Sequence, residues 1–92
     1  MRLPQDVRKQ LHAALKDAFP RVQQLENMIE LHLGIGRDEI FSSQTLIDTA
    51  VLELIGWAER RDQVDLLIQG VREANPTNLK LIEAERLVAQ QF

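Results

Sequence analysis

"LIGWAERRDQVDLLIQGVREANP", residues 54–76, holds two apolar helical faces and the turn between them. Leu54, Ile55 and Ala58 recur at spacings of three and four, and Trp57 widens that face. Val64, Leu67, Ile68 and Val71 repeat the pattern after a very short polar break. Asp62 is a candidate N-cap for the second of these helices, and Asn75-Pro76 ends it. A connection this short makes the two helices neighbours, commonly antiparallel. Nothing in the stretch alternates as a strand would, so it reads as a helical hairpin.

Upstream, the first of these helices extends back to about Gln44 and adds Ile47, Ala50 and Val51, with Leu46 widening the apolar arc. A helix apolar around so much of its girth belongs at the centre of a bundle. Ser42, Ser43 or Thr45 can cap it, Thr45 with Asp48 as a capping-box variant. Ile40 and Phe41 anchor a short turn ahead of it. "LGIG", residues 33–36, stops a second helix that begins near Pro20 and presents Val22, Leu25, Met28, Ile29 and Leu33. The first helix spans about Pro4 to Phe19, with Val7, Leu11, Ala14, Leu15 and Ala18 as its stripe. Pro20 disfavours a helical backbone at Phe19 and breaks the chain there. Downstream, Thr77 or Asn78 caps a last helix holding Leu79, Ile82, Leu87 and Val88. The prediction is all-α: a compact antiparallel bundle of five to six helices, one domain over residues 1–92. Its core is expected to contain Leu11, Leu15, Phe19, Leu25, Ile29, Val51, Leu54, Ile55, Trp57, Ala58, Leu67, Ile68 and Val71.

Composition agrees with that reading. The chain has 92 residues, 45% of them hydrophobic and 27% charged, which is ordinary for a globular domain. A chain of this length buries roughly 60–65% of its unfolded surface, enough for one modest core. With no tyrosine, one tryptophan and three phenylalanines, that core must be aliphatic. The absence of cysteine excludes disulfides, thiolate catalysis and cysteine-ligated zinc, and fits a reducing cytoplasm. "MRLPQDVRKQ" has no apolar run and does not read as a signal peptide, and no stretch reaches the length of a membrane span.

Catalytic and metal chemistry find no foothold. His12 and His32 form no His-x-x-x-His or Glu-x-x-His pair that would set a metal on one helix face. Asp38-Glu39 reads as a solvated turn rather than a cation site. "GIG" lacks both the phosphate-loop pattern and a preceding strand, and Ser42 and Ser43 lack the context of an activated nucleophile. The reading is therefore not an enzyme, with no cofactor and no metal. The net charge of −3 and pI near 5.3 weigh against nucleic acid as a partner. A helix-turn-helix reader of DNA remains the lesser alternative. Its recognition helix would offer Gln63, Gln69 and Arg72, but Asp62, Asp65 and Glu73 beside them repel phosphate. Trp57 fits the core better than an exposed anchor, and Arg60-Arg61 suits the negative end of a helix dipole.

In order and spacing, Phe19-Pro20, Leu25, Leu33, Asp38-Glu39-Ile40, Leu54-Ile55, Trp57-Ala58-Glu59 and Asn75-Pro76 resemble the bacterial effector-associated domain of type one. The resemblance spans about residues 10 to 81. Two features depart from it. Arg21 and Val22 follow Phe-Pro where the family often has a polar cap and acidic residues, and "IEAERLVAQQF" continues helically past Leu81. The resemblance implies a death-like fold and an adaptor that pairs with another effector-associated domain. It would link a sensor to an effector, a peptidase or a nucleotide-binding regulator, in bacterial signalling, conflict and defence.

Charge is unevenly spread along the chain. Residues 1–24 carry five basic and two acidic side chains, residues 25–60 two basic and seven acidic. A basic patch of Arg8, Lys9, Lys16 and Arg21 is thus expected to meet an acidic patch of Asp38, Glu39, Glu53 and Glu59 on another copy. Two different faces in contact make a heterologous interface, which builds rings or open assemblies. The alternative is a free-standing regulatory bundle that self-associates through an apolar patch. Salt separates the two, because screening weakens only the charge-led contact.

Overall fold

The computed structural model describes residues 2–41 and 46–91. Five α-helices account for most of them, and no strand occurs among the described residues. Helix α1 is Gln5–Ala18, α2 is Val22–Met28, α3 is Ile47–Arg60, α4 is Val64–Ala74 and α5 is Leu79–Ala89. Helix α2 runs on through one π-helical turn, Ile29–Leu33, and a 3-10 turn follows at Arg37–Glu39.

Pro4 precedes α1 with an extended backbone, and its carbonyl accepts the Arg8 N–H at 2.9 Å. Val7, Leu11, Ala14 and Leu15 form the buried stripe of α1. Phe19, kept extended by the following proline, closes the helix by donating its N–H to Leu15 at 2.8 Å and buries its ring. Pro20 lies outside the second helix rather than in its first turn. Arg21 is the N-cap, and its N–H donates to the Gln24 side chain at 3.2 Å.

The π turn ends at Gly34, whose φ of +68° is the left-handed conformation glycine takes without strain. Leu33 then lies against α4 at Gly70, where a Cβ would stand 2.9 Å from Leu33 Cδ2. That glycine sets how closely the two helices approach. The 3-10 turn is fastened to α2 by Arg37, whose Nε donates to Glu26 Oε1 at 2.6 Å. Ile40 and Phe41 are buried directly after it.

The expected caps of α3, Ser42, Ser43 and Thr45, and its expected start at Gln44, lie outside the described residues. Leu46 stands at the N-cap and is exposed, so it does not widen the apolar arc as expected. Ala50, Val51, Leu54, Ile55, Trp57 and Ala58 are buried. The connection to α4 corrects the sequence reading. Asp62 is not the N-cap of α4; Gln63 is. Asp62 instead has a φ of +55°. Its N–H reaches Glu59 at 3.3 Å, and that of Gln63 reaches Ala58 at 2.8 Å. This is a Schellman closure of α3 with aspartate in the place usually held by glycine.

Asn78 caps α5, accepting the Leu81 N–H at 3.0 Å. Of the apolar residues expected on α5, Val88 is buried and Leu87 packs partly buried against the core, whereas Leu79 is 79% and Ile82 39% exposed; Leu81 and Ala84 are buried in their stead. Two stripes overlap on this helix, and the one containing the small Ala84 faces the core.

Ion pairs fix the helix directions. Lys16, late in α1, meets Asp48, early in α3, while Arg8 meets Glu59 at the other end. Asp17 meets Asn78 and Lys80 at the start of α5. Arg72 of α4 meets Glu85 of α5. Helix α1 is therefore antiparallel to both α3 and α5. Leu11, Leu15, Phe19, Leu25, Ile29, Val51, Leu54, Ile55, Trp57, Ala58, Leu67, Ile68 and Val71 belong to one buried cluster drawn from all five helices. The radius of gyration, 11.7 Å, is close to the roughly 12 Å of a compact chain this long.

Candidate interaction surface

No polar or charged residue is fully buried among the described residues. The histidines each lie beside one carboxylate. His12 Nε2 is 3.9 Å from Asp48 Oδ1, and His32 Nδ1 is 3.4 Å from Glu73 Oε2. Among the described residues no three His, Cys, Asp or Glu side chains gather as a metal site would need. No described helix is long and apolar enough to cross a membrane. Trp57 is in the core, with its Nε1 buried and without a hydrogen-bond partner. The Arg61 guanidinium lies 5.6 Å from its ring centroid, a cation–π contact at the edge of the core.

The expected charged patches are distributed as follows. Arg8 and Glu59, placed on opposite patches by the sequence, face each other within the chain: Arg8 Nε is 3.1 Å from Glu59 Oε1. That approach is misaligned for a hydrogen bond, so the pair is held by charge. Only 8% of the Glu59 side chain is exposed, and its Oε2 also accepts the Leu3 N–H at 2.8 Å. Glu59 thus pins the N-terminal arm and buries Leu3. Lys16 is likewise engaged, 2.8 Å from Asp48. The Lys16 hydrogen bond outweighs the opposing desolvation and, with the lesser pull of the Lys16 and His12 charges, holds the Asp48 carboxyl below the usual carboxylate range. Lys9 is exposed beside Gln5, Arg8, His12 and Leu52. Arg21 is exposed beyond the far end of α1. The four basic residues do not gather at one spot.

The acidic residues also separate. Asp38 and Glu39 project from the 3-10 turn, with the Asp38 side chain 92% exposed. Glu53 is half-buried on α3, and Glu59 is occupied as described.

Two residues that sequence reasoning did not place at a site come together instead. Arg2, Arg8 and Arg60 line a hollow of about 410 Å³ with Gly56 and Glu59. Arg60 reads as a helix-end charge, and nothing in the sequence brings Arg2 to it. The glycine one turn before Arg60 is the only local signal. A larger hollow of about 510 Å³ lies between α4 and α5, with Ile68, Arg72, Glu73, Glu85, Val88 and Ala89 among its lining. Leu31, Leu46 and Leu79 are the most exposed large apolar side chains described.

No curated protein and no solved structure matches the chain. The sequence model of effector-associated domain 1 matches residues 1–89. The match runs through the last helix, so the continuation past Leu81 is part of the family pattern, not a departure from it. With nearly its whole length so matched, the chain belongs to the effector-associated domain 1 family.

Proposed function

We propose that this domain is a non-catalytic adaptor that pairs with another effector-associated domain. In the bacterial cytoplasm it would bring an effector, a peptidase or a nucleotide-binding regulator, to a sensor in signalling or defence. Family membership carries this reading. An apolar core surrounded by projecting leucines and charged clusters supports it, since recognition then depends on displayed side chains. The partner class is protein. Helix α4 argues against DNA: Asp65 and Glu73 accompany Gln69, and Arg72 is engaged by Glu85 and the Pro76 carbonyl.

Co-purification with an effector-associated domain encoded beside a peptidase or nucleotide-binding effector tests the proposal. Capture in low salt that weakens several-fold in 0.5 M salt is the expected result. Failure to capture any such domain, under conditions where this chain is folded, overturns it. The exposed Leu31, Leu46 and Leu79 favour a second reading, a free-standing bundle that self-associates through apolar contacts. Association that holds its strength in high salt would select that reading.

A further inference from the structure

We propose that the hollow lined by Arg2, Arg8 and Arg60 is a carboxylate receptor, and that its occupant is the Asp38-Glu39 turn of a second copy of this chain. The inference rests on the adaptor reading and assigns the contact surfaces.

The hollow is built for an anion. A Cβ placed on Gly56 would be 3.3 Å from Arg60 Nη1 and 3.9 Å from Arg8 Nη2. Guanidinium groups from two helices therefore converge over one bare stretch of backbone. A carboxylate entering there can accept from both, each hydrogen bond at about 2.7–2.9 Å. Arg2 lines the same hollow. Glu59 is the one acidic side chain in its lining, and it already lies against Arg8 and the Leu3 N–H. Three guanidinium groups against one carboxylate leave an excess of positive charge. Neither Arg2 nor Arg60 has an ion pair with a described residue. Like charges held together gain most from an anion arriving between them.

The complementary surface is on the same chain. Asp38 and Glu39 stand on a short 3-10 turn, fixed to α2 by Arg37, with Asp38 almost wholly in solvent though one of its oxygens accepts from Arg37 Nη1 at 3.3 Å. The Arg37–Glu26 clamp presents the turn in one orientation, which lowers the cost of ordering it on contact. The hollow belongs to the start of α1 and the end of α3, the turn to the loop after α2. Different patches meet, so the contact is heterologous, and a bound pair still offers one free hollow on one copy and one free turn on the other.

Complementation tests it. Arg60→Glu spoils the hollow and leaves the turn intact. Asp38→Arg combined with Glu39→Arg spoils the turn and leaves the hollow intact. Gly56→Leu blocks the floor of the hollow without changing charge. Thermal melts by circular dichroism check that each variant is folded. By light scattering and sedimentation, the native chain is expected to assemble beyond a dimer as concentration rises. Each variant alone should associate at least tenfold more weakly. An equimolar mixture of Arg60→Glu with the Asp38→Arg, Glu39→Arg chain should form dimers and stop there, since only one intact hollow and one intact turn face each other.

Native association unaffected by Arg60→Glu and Gly56→Leu overturns the inference and leaves the adaptor reading standing. So does a mixture that stays monomeric, or a native chain that is monomeric throughout. The adaptor reading fails separately, if no other effector-associated domain binds.

Discussion

Asp62 shows how much one backbone conformation decides. It occupies the left-handed region at the end of α3, where a side chain with a Cβ is disfavoured and aspartate is among the tolerated exceptions. Two substitutions that both remove the carboxylate isolate the backbone effect. Asp62→Gly is expected to be more stable than Asp62→Val by about 1–2 kcal/mol, because valine in this region meets the following carbonyl. Urea unfolding midpoints of the two variants, compared at a common slope, measure it. Equal midpoints would mean the turn relaxes out of the Schellman geometry. The misassignment of Asp62 as an N-cap has a clear source. Asp before an apolar helix is a common N-cap signal, and the closure of α3 against it leaves no glycine to read. Gly34, by contrast, was legible, because a glycine after an apolar run is the ordinary mark of a left-handed stop.

Helix α5 carries the same lesson one level up. Its existence, its start near Asn78 and its length follow from local chemistry, because the Asn78 side chain satisfies a first-turn N–H. Its orientation does not. Leu79 and Ile82 form one candidate face and Leu81, Ala84 and Val88 another, and hydrophobicity alone favours neither decisively. Packing decides, since Ala84 lets α5 close on its neighbours where a larger residue would hold it off. Leu81→Ala is expected to destabilise by about 2–5 kcal/mol through the cavity it leaves. Leu79→Ala should change stability by less than about 0.5 kcal/mol, since its side chain is mostly in solvent. Urea titrations followed by circular dichroism distinguish the two, and comparable losses would mean α5 is rotated from the orientation described. Helices α1, α3 and α4 each have a single broad apolar face, which fixes their orientation from the sequence.

At the scale of the molecule, charge counted along the chain and charge arranged in space part company. Arg8 and Glu59, remote in sequence and opposite in expected role, neutralise each other across α1 and α3. Arg2 and Arg60 reach one hollow from opposite parts of the chain. Linear segments cannot report such pairings, because the antiparallel packing that creates them is a tertiary fact. Lys16–Asp48 is another such pairing, joining α1 to α3, and it makes the stability of the whole fold depend on pH. Folding lowers the Asp48 pKa, chiefly through the Lys16 hydrogen bond, with the nearby charges of Lys16 and His12 adding to it. A carboxyl with a depressed folded-state pKa binds a proton more readily when unfolded. Its contribution is therefore present above its unfolded value, near 3.8, and is lost as pH falls through the lower folded one. Glu83 is depressed in the same direction by Arg86, but within α5 alone, so part of that contact survives wherever the helix frays and reforms. Asp48→Asn is thus expected to lower the urea midpoint at pH 7 and to flatten its fall as the pH drops below about 4. Glu83→Gln should do so less. Both carboxylates are solvent-exposed, which keeps the effects small and sensitive to salt. An Asp48→Asn chain that loses stability with acid as steeply as the native one would show that the α1–α3 pairing is not maintained in solution.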